Sequence, residues 1–320
     1  ALYGQGLIEG QAGLNFSQDT DVSPDGRVLY VARGHLGDVA AFDIASGQLM
    51  WRVPVPGIRA DHMTISKDGF SLYVSAMTAN EVIVVDTRTG TRVGQFETGV
   101  WPHDNHVSPD GLFLLNASIG ELGEYSADNQ PKAPAAGEFG QYQITQVRTD
   151  DLSLVDTFQF PSGVRPFQIA KDGKRLFAQL SNTHSVIEYD LASKAITNRI
   201  DLPMADGLAE DDWDFQAPHH GLDLSADGRV LCVAGRASDY AGQVQAADLY
   251  LIATIPVGDA PGWAEFSSAG EICVLANTRS DDVSLVSVEE QRELARIPVD
   301  DGPKHITIAA VPDSVLGIAR

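Results

Sequence analysis

A four-residue turn signal that recurs at near-regular intervals constrains the fold of this 320-residue chain more than any other feature. Its common form is Ser-x-Asp-Gly, and it starts at seven places: Ser23, Ser66, Ser108, Ala170, Ser225, Ser267 and Ala309. Successive starts are 43, 42, 62, 55, 42 and 42 residues apart. Asp-Gly between alternating segments is typical of a β-hairpin, and repeats of this length are typical of four-stranded propeller blades.

The segments around each turn have the composition of strands. A β-rich run such as Leu72-Tyr73-Val74 follows each turn, a third strand ends in Asp as in Val84-Val85-Asp86, and a fourth carries an Ile-x-Val pattern as in Ile255-Pro256-Val257. We therefore predict an all-β, seven-bladed β-propeller with four antiparallel strands per blade, forming a single domain over residues 1–320. Both termini are expected to close the last blade, with residues 305–308 and 314–319 from one end and 1–13 from the other.

One repeat carries a family resemblance. The run Ser66-Lys67-Asp68-Gly69-Phe70-Ser71-Leu72-Tyr73-Val74-Ser75, followed by Val82-Ile83-Val84-Val85-Asp86, resembles the repeats of seven-bladed YVTN-type β-propeller proteins. The resemblance covers nearly the whole chain outside two lid-like insertions, at about 119–140 and 203–218. Such proteins include lactonase-like enzymes, redox-enzyme subunits and binding proteins, so the resemblance implies a fold and leaves the function open.

The charge balance excludes several kinds of partner. The chain has 44 acidic and 22 basic residues, for a formal net charge of −22. This argues against a nucleic acid or an anionic membrane, since both attract basic surfaces, and no apolar run has the length of a membrane span. We expect a small-molecule substrate and no membrane insertion, and the sequence leaves the oligomeric state open.

The start of the chain bears on its location. The sequence begins at Ala1 with neither an initiator methionine nor an apolar leader. This pattern predicts a mature periplasmic or secreted protein whose export signal has been removed.

Aligning the seven turns reveals polar positions on the strand before each turn, which is the innermost strand of its blade. The residue two positions before the turn is never apolar, and Lys and Arg are absent both there and at the position four before the turn. Strand alternation places these two positions on one side, which we expect to face the central channel. The histidines and carboxylates at these positions are Asp19, Asp21, His62, Asp104, His106, Asp223, Glu265 and His305.

Histidines and carboxylates that converge without a cation suit a divalent metal ion. We predict that three or four of His62, His106, His220 and His305 bind the metal. Asp19, Asp104 or Glu265 would be further ligands or would orient the histidines. Zinc, manganese, iron and copper all remain open. The alternative is a polar channel that is only solvated.

Residues beside the same strands predict catalysis. His103 and His219 are predicted to transfer protons, and Arg236 to bind an anionic group of the substrate. The leading hypothesis is a metal-dependent hydrolase or lyase acting on a small carbonyl, lactone or sugar-type substrate. Gly302-Pro303-Lys304-His305 is similar to the lactonase-like pattern before an innermost strand. A non-catalytic YVTN-type binding module, and an iron or copper oxidoreductase using the same histidines, remain alternatives.

The two cysteines are too few for a disulfide scaffold or a cysteine-rich zinc site. Cys232 and Cys273 occupy equivalent places in adjacent repeats. We expect both to be small buried core residues rather than a nucleophile or a disulfide.

Overall fold

In the computed structural model, the recurring turns connect antiparallel strands, as the repeat predicts. The structure describes residues 17–120, 142–209, 213 and 216–317. Strands of these residues form six four-stranded antiparallel sheets, each in sequential strand order. Each sheet is one blade, so the described part of the chain is an all-β propeller with six blades and not the predicted seven.

The chain divides into two compact units. Unit 1 comprises the described residues of 17–159 together with 309–317, and unit 2 comprises those of 160–308. Each unit contains three blades.

Unit 1 holds blades one to three. Blade one contains β1 (Asp19–Val22), β2 (Val28–Ala32), β3 (Asp38–Asp43) and β4 (Leu49–Pro54). Blade two contains β5 (Ala60–Ile65), β6 (Ser71–Ala76), β7 (Glu81–Asp86) and β8 (Thr91–Glu97). Blade three contains β9 (Pro102–Val107), β10 (Phe113–Ser118), β11 (Gln143–Arg148) and β12 (Leu154–Gln159).

Unit 2 holds blades four to six. Blade four contains β13 (Val164–Ile169), β14 (Arg175–Leu180), β15 (Ser185–Asp190) and β16 (Ala195–Asp201). Blade five contains β17 (Leu222–Leu224), β18 (Val230–Gly235), β19 (Tyr240–Gln245) and β20 (Tyr250–Pro256). Blade six contains β21 (Pro261–Phe266), β22 (Ile272–Asn277), β23 (Asp282–Ser287) and β24 (Arg292–Pro298).

The predicted seventh blade is wrong because its turn lacks a glycine. In the six turns that connect the first and second strands of the blades, the fourth residue is a glycine with φ between 66° and 80°, a conformation that favours glycine. The seventh turn has Pro312 at this place, with φ of −61°, followed by the helical turn α1 (Asp313–Leu316). Residues 302–312 form no strand. The N-terminal strand predicted at residues 1–13 lies outside the described residues, as does most of the first predicted insertion.

Apolar clusters fill the spaces between neighbouring blades within each unit. In unit 1, Val39 and Tyr30 of blade one pack with Leu72 and Ile83 of blade two. In unit 2, Leu231 of blade five packs in a cluster with blade-four residues such as Val186. Burial of these side chains is the main stabilising contribution to each blade interface. Among the described residues, no helix is long and apolar enough to cross a membrane.

Cys232 and Cys273 form a disulfide, which contradicts the prediction of two unbridged cysteines. The expected burial is confirmed, since both side chains are fully buried. Equivalent positions of adjacent blades face each other across the interface, and here the two Cα atoms are 6.3 Å apart, a separation that a disulfide spans. The bond therefore ties β18 of blade five to β22 of blade six.

A β-bulge recurs near the start of the first strand of blades two, three, four and six. In each case the pairing with the second strand slips by one residue. A bulge re-aims the side chains beside it, so the simple alternation that the sequence analysis assumed does not hold there. In blade two, Asp61 and His62 are consecutive residues and both are buried.

Candidate metal centre

Buried histidine and carboxylate side chains meet in unit 1 at the starts of β1, β5 and β9. His62 Nδ1 lies 3.3 Å from Asp19 Oδ2, and the His62 and His103 rings are 4.3 Å apart. Ligand atoms of His62 and Asp19 lie within 4.8 Å of each other, as do ligand atoms of His62 and His103. We call Asp19, Asp61, His62 and His103 the unit-1 cluster.

Asp61 orients His103. Its Oδ1 lies 2.8 Å from His103 Nδ1, and its Oδ2 lies 2.8 Å from Arg59 Nε. Burial would raise the pKa of Asp61, but the charges of Arg59 and His103 hold it well below its usual range. Because a carboxylate only accepts, His103 donates through Nδ1 and a neutral ring then carries its lone pair on Nε2.

His62 lies among carboxylates. Burial alone would lower the pKa of its ring, but the hydrogen bond and charge of Asp19, with the charges of Asp61 and Asp104, raise it. A site that stabilises a cationic ring in this way also attracts a metal cation.

A buried polar network holds the backbone of the cluster. Asn105 Nδ2 donates to the His62 carbonyl oxygen at 2.9 Å and to Ser75 Oγ at 2.7 Å. Ser75 in turn donates to the His103 carbonyl oxygen, and Asn116 Nδ2 donates to Asn105 Oδ1. These bonds fix the main chain from which His62 and His103 project.

Asp104 and His106 form a second pair in unit 1. His106 Nε2 lies 3.1 Å from Asp104 Oδ2, and 27% of the His106 side chain is exposed while Asp104 is buried. Burial would raise the pKa of Asp104, but the charge and hydrogen bond of His106 lower it. The contact fixes the His106 tautomer with its proton on Nε2 and its lone pair on Nδ1.

The residues of the unit-1 cluster fit a divalent metal. His62 and His103 offer two imidazoles, which suit zinc and redox-active first-row metals, and the Asp19 carboxylate lies beside His62. A carboxylate bonded to the far nitrogen of a ligating histidine is the usual support for such a ligand, and Asp61 has this relation to His103.

Three other predicted residues come together within unit 2. The His220 and His305 rings lie 5.8 and 4.0 Å from the ring of Trp263. His220 Nδ1 is 3.0 Å from the Gly262 carbonyl oxygen, and a side chain at Gly262 would lie 3.1 Å from Arg236 Nη1. The unit therefore gathers His220, His305 and Arg236 around Gly262–Trp263. Glu265 is partly buried further along β21.

His219 directly precedes His220 in the chain, and its ring lies against His184. The two rings are nearly parallel, with centroids 5.8 Å apart. Burial, and then the charges of His184 and Arg165, lower the pKa of His219 to about 3. His219 is thus neutral at physiological pH.

Two predicted carboxylates connect neighbouring blades through the main chain. Asp21 Oδ2 accepts from the Ile65 N–H at 2.9 Å, and Asp223 Oδ2 accepts from the Phe266 N–H at 2.7 Å. Asp19 makes the same kind of contact with the Met63 N–H. First strands present N–H groups at the blade edge, and these carboxylates satisfy them.

Sequence reasoning missed Asp61 and Arg165, which lie five residues before their turns. The residues at this place are Gln18, Asp61, His103, Arg165, His220 and Gly262. The first four are buried, although they are polar. None of the six is an ordinary apolar core residue, and this signal would have identified the position.

The chain is similar to known proteins at the level of fold. No family model matches the sequence, and no curated protein matches it. Among solved structures, the chain is similar to Kuenenia stuttgartiensis Hydrazine Synthase, with a TM-score of 0.74 and 18% identity. The match covers 94% of this chain and 92% of that chain. At this identity the likeness establishes an all-β propeller and nothing about activity.

Proposed function

We propose that this protein is a metal-dependent enzyme in which His62 and His103 hold a divalent metal ion, with the Asp19 carboxylate beside His62. The observation that carries the proposal is the contact of Asp61 with both Arg59 and His103. This contact fixes the His103 imidazole beside His62, whose ring lies against the Asp19 carboxylate. A divalent metal bound there would supply Lewis acidity, either toward a carbonyl oxygen or toward water. The proposed reaction is hydrolysis or elimination on a small carbonyl, lactone or sugar-type substrate.

His106 is the residue of this unit best placed to move a proton. Asp104 holds its Nε2–H, so Nδ1 can accept a proton at a partly exposed position. His103 was predicted for this task, but its Nδ1 is bonded to Asp61 and its geometry suits a ligand better. Proton transfer by His219 and anion binding by Arg236 remain predictions, as do metal binding by His220, His305 and Glu265.

Elemental analysis of protein purified without a chelator or a metal-affinity tag tests the proposal. We expect about one equivalent of metal in the wild type, and loss of that metal in His62→Ala and His103→Gln. His106→Gln is the matched control: it should keep the metal and lose hydrolysis of a lactone and ester panel. His220→Ala and His305→Ala then show whether those histidines contribute to retention.

Absence of metal after reconstitution with zinc, manganese, iron and copper would contradict the proposal and favour a non-catalytic binding module. Metal retention without turnover of any panel member would keep the site and contradict the hydrolase assignment. Iron or copper in place of zinc would favour the oxidoreductase alternative.

The location proposed from the sequence is periplasmic or secreted. The Cys232–Cys273 disulfide supports it, because structural disulfides form and persist in oxidising compartments. Membership of the YVTN-type proteins stays a prediction based on the repeat motifs.

A further inference from the structure

A second cluster of buried polar side chains lies in unit 2 and contributes no residue to the proposed unit-1 metal site. It consists of Arg165, Gln179, His184 and His219, all at least nine-tenths buried. Arg165 Nε donates to Ser181 Oγ at 2.8 Å, Ser181 lies in the chain between Gln179 and His184, and the His184 ring stacks on His219. We call these four residues the unit-2 cluster.

Gln179 presents an amide donor without an acceptor. Its Oε1 accepts from the Gly221 N–H at 3.1 Å. Because a backbone N–H can only donate, this contact fixes the orientation of the amide, and Nε2 must face the other way. Nε2 is buried and has no hydrogen-bond partner among the described residues. A buried amide donor without a hydrogen bond destabilises the folded protein, so a ligand that supplies an acceptor at Nε2 would be bound favourably.

His184 presents a buried acceptor, in contrast to the donor of Gln179. Its Nε2 lies 2.9 Å from the Pro203 carbonyl oxygen, so Nε2 carries the proton and Nδ1 carries a lone pair. Within the described part of the chain, no donor reaches Nδ1. The Tyr240 hydroxyl also donates to the Pro203 oxygen and completes this anchor of the ring.

The His219 ring stacks on His184, and Gly221, two residues further along the chain, donates its N–H to Gln179. Neither ring nitrogen has a hydrogen-bond partner among the residues described, although the Thr183 backbone approaches the ring. As a neutral imidazole it offers one N–H and one lone pair.

The charge of the cluster is positive. Arg165 contributes the guanidinium, and its field reaches His219, whose pKa it lowers in addition to the effects of burial and of His184. A cation bound to the two imidazoles would be repelled by Arg165, whereas an anion would be attracted.

We propose that the unit-2 cluster binds a small carboxylate, and that a hydroxyl beside the carboxylate strengthens binding. The carboxylate accepts from Gln179 Nε2 and is attracted to Arg165. The hydroxyl donates to His184 Nδ1, and His219 bonds to either group. The ligand thus satisfies donors and acceptors that the protein itself leaves unmet, independently of the unit-1 metal.

The test is titration of the full-length protein with glycolate, acetate and glycolamide at constant ionic strength, followed by histidine ring resonances in NMR spectra. We expect glycolate to bind more tightly than acetate, and glycolamide to bind most weakly, because it lacks the charge. Gln179→Glu keeps the acceptor for Gly221 and replaces the donor with a negative oxygen, so glycolate affinity should fall about 10- to 100-fold. Retained thermal stability would show that this variant is folded.

His62→Ala distinguishes carboxylate binding at the unit-2 cluster from carboxylate binding at the unit-1 metal, because a carboxylate held by that metal is lost in this variant. Unchanged glycolate binding in His62→Ala supports the unit-2 site even if no metal is found. Equal glycolate binding by the wild type and Gln179→Glu would overturn the proposal. So would the absence of saturable binding, which would leave an ordered water as the partner of the buried groups.

Discussion

Each unit buries a histidine a few residues before a recurring turn, four residues for His62 and six for His219, and the two have opposite electrostatic surroundings. In unit 1, carboxylates surround His62 and raise its pKa despite burial. In unit 2, burial together with His184 and Arg165 lowers the pKa of His219 to about 3. The first environment favours a cation and the second disfavours one.

Asp19 contributes most to raising the pKa of His62, and burial contributes most to lowering that of His219. The residue five positions before the turn adds to both differences. Unit 1 has Asp61 and His103 there, and unit 2 has Arg165 and His220. A bulge at the start of the strand recurs in blades two, three and four, so backbone geometry does not distinguish the Asp61 and Arg165 sites. The side chain at this repeated backbone position therefore adds to the preference of each site for one sign of charge.

Removing the charge of Asp61 should cause the largest loss of stability among these variants and should also weaken metal binding. Asp61→Asn leaves Arg59 and His103 without their carboxylate, and breaking a buried ion pair from one side costs about 3–5 kcal/mol of unfolding free energy. Metal affinity should also fall about 10- to 100-fold, because His103 loses the group that orients it. Urea unfolding and competitive metal titration measure the two effects.

Asp86→Asn is the control for Asp61→Asn. Asp86 pairs with Arg88, whose side chain is 66% exposed, and solvent screens such a pair. A much smaller loss of stability and unchanged metal affinity are expected. If the two variants lost equal stability, the Arg59–Asp61–His103 chain would not be the support that we assign to it.

The pH dependence of stability should distinguish the units. The folded-state pKa of His219 is about 3 against an ordinary 6.5, so below pH 6.5 the unfolded chain binds a proton that the folded chain does not. Its contribution is full above pH 6.5 and falls by about 1.4 kcal/mol per pH unit as the pH drops, or about 2 kcal/mol by pH 5. Urea unfolding at several pH values should show a weaker acid dependence in His219→Gln than in the wild type. Parallel curves for the two proteins would contradict a neutral, buried His219.

Much of the blade structure could be predicted because it repeats. The turn signal needs a glycine with positive φ, and each of the six turns that has one begins a hairpin. The prediction of a seventh turn was wrong because Pro312 occupies the glycine position, and the spacing of the repeats does not depend on that residue. The same reasoning from spacing placed Cys232 and Cys273 at equivalent points, yet did not translate equivalence into the 6.3 Å proximity that allows a disulfide.

The candidate site was harder to predict because it depends on broken periodicity. Strand alternation identified Asp19, His62 and Asp104, which are buried. It missed Asp61, because the bulge in β5 buries a residue that a regular strand would turn to the other face. Whether a histidine is bonded to a carboxylate, as His103 is, depends on contacts between blades, and a pattern within one strand carries no such information.

Two variants with a small expected loss of stability should distinguish carboxylates that only link neighbouring blades from a carboxylate that also contributes to metal binding. Asp19 and Asp223 each accept two backbone N–H groups, one from their own strand and one from the next blade. Asparagine can accept only one of these, so Asp19→Asn and Asp223→Asn should each lose about 1–2 kcal/mol of unfolding free energy. Metal affinity should fall in Asp19→Asn, whose carboxylate lies beside His62, and stay unchanged in Asp223→Asn. Loss of metal in both variants would mean that the ion is released because the blades are destabilised, and not because a ligand is lost. Loss of metal in neither variant would mean that Asp19 only links neighbouring blades.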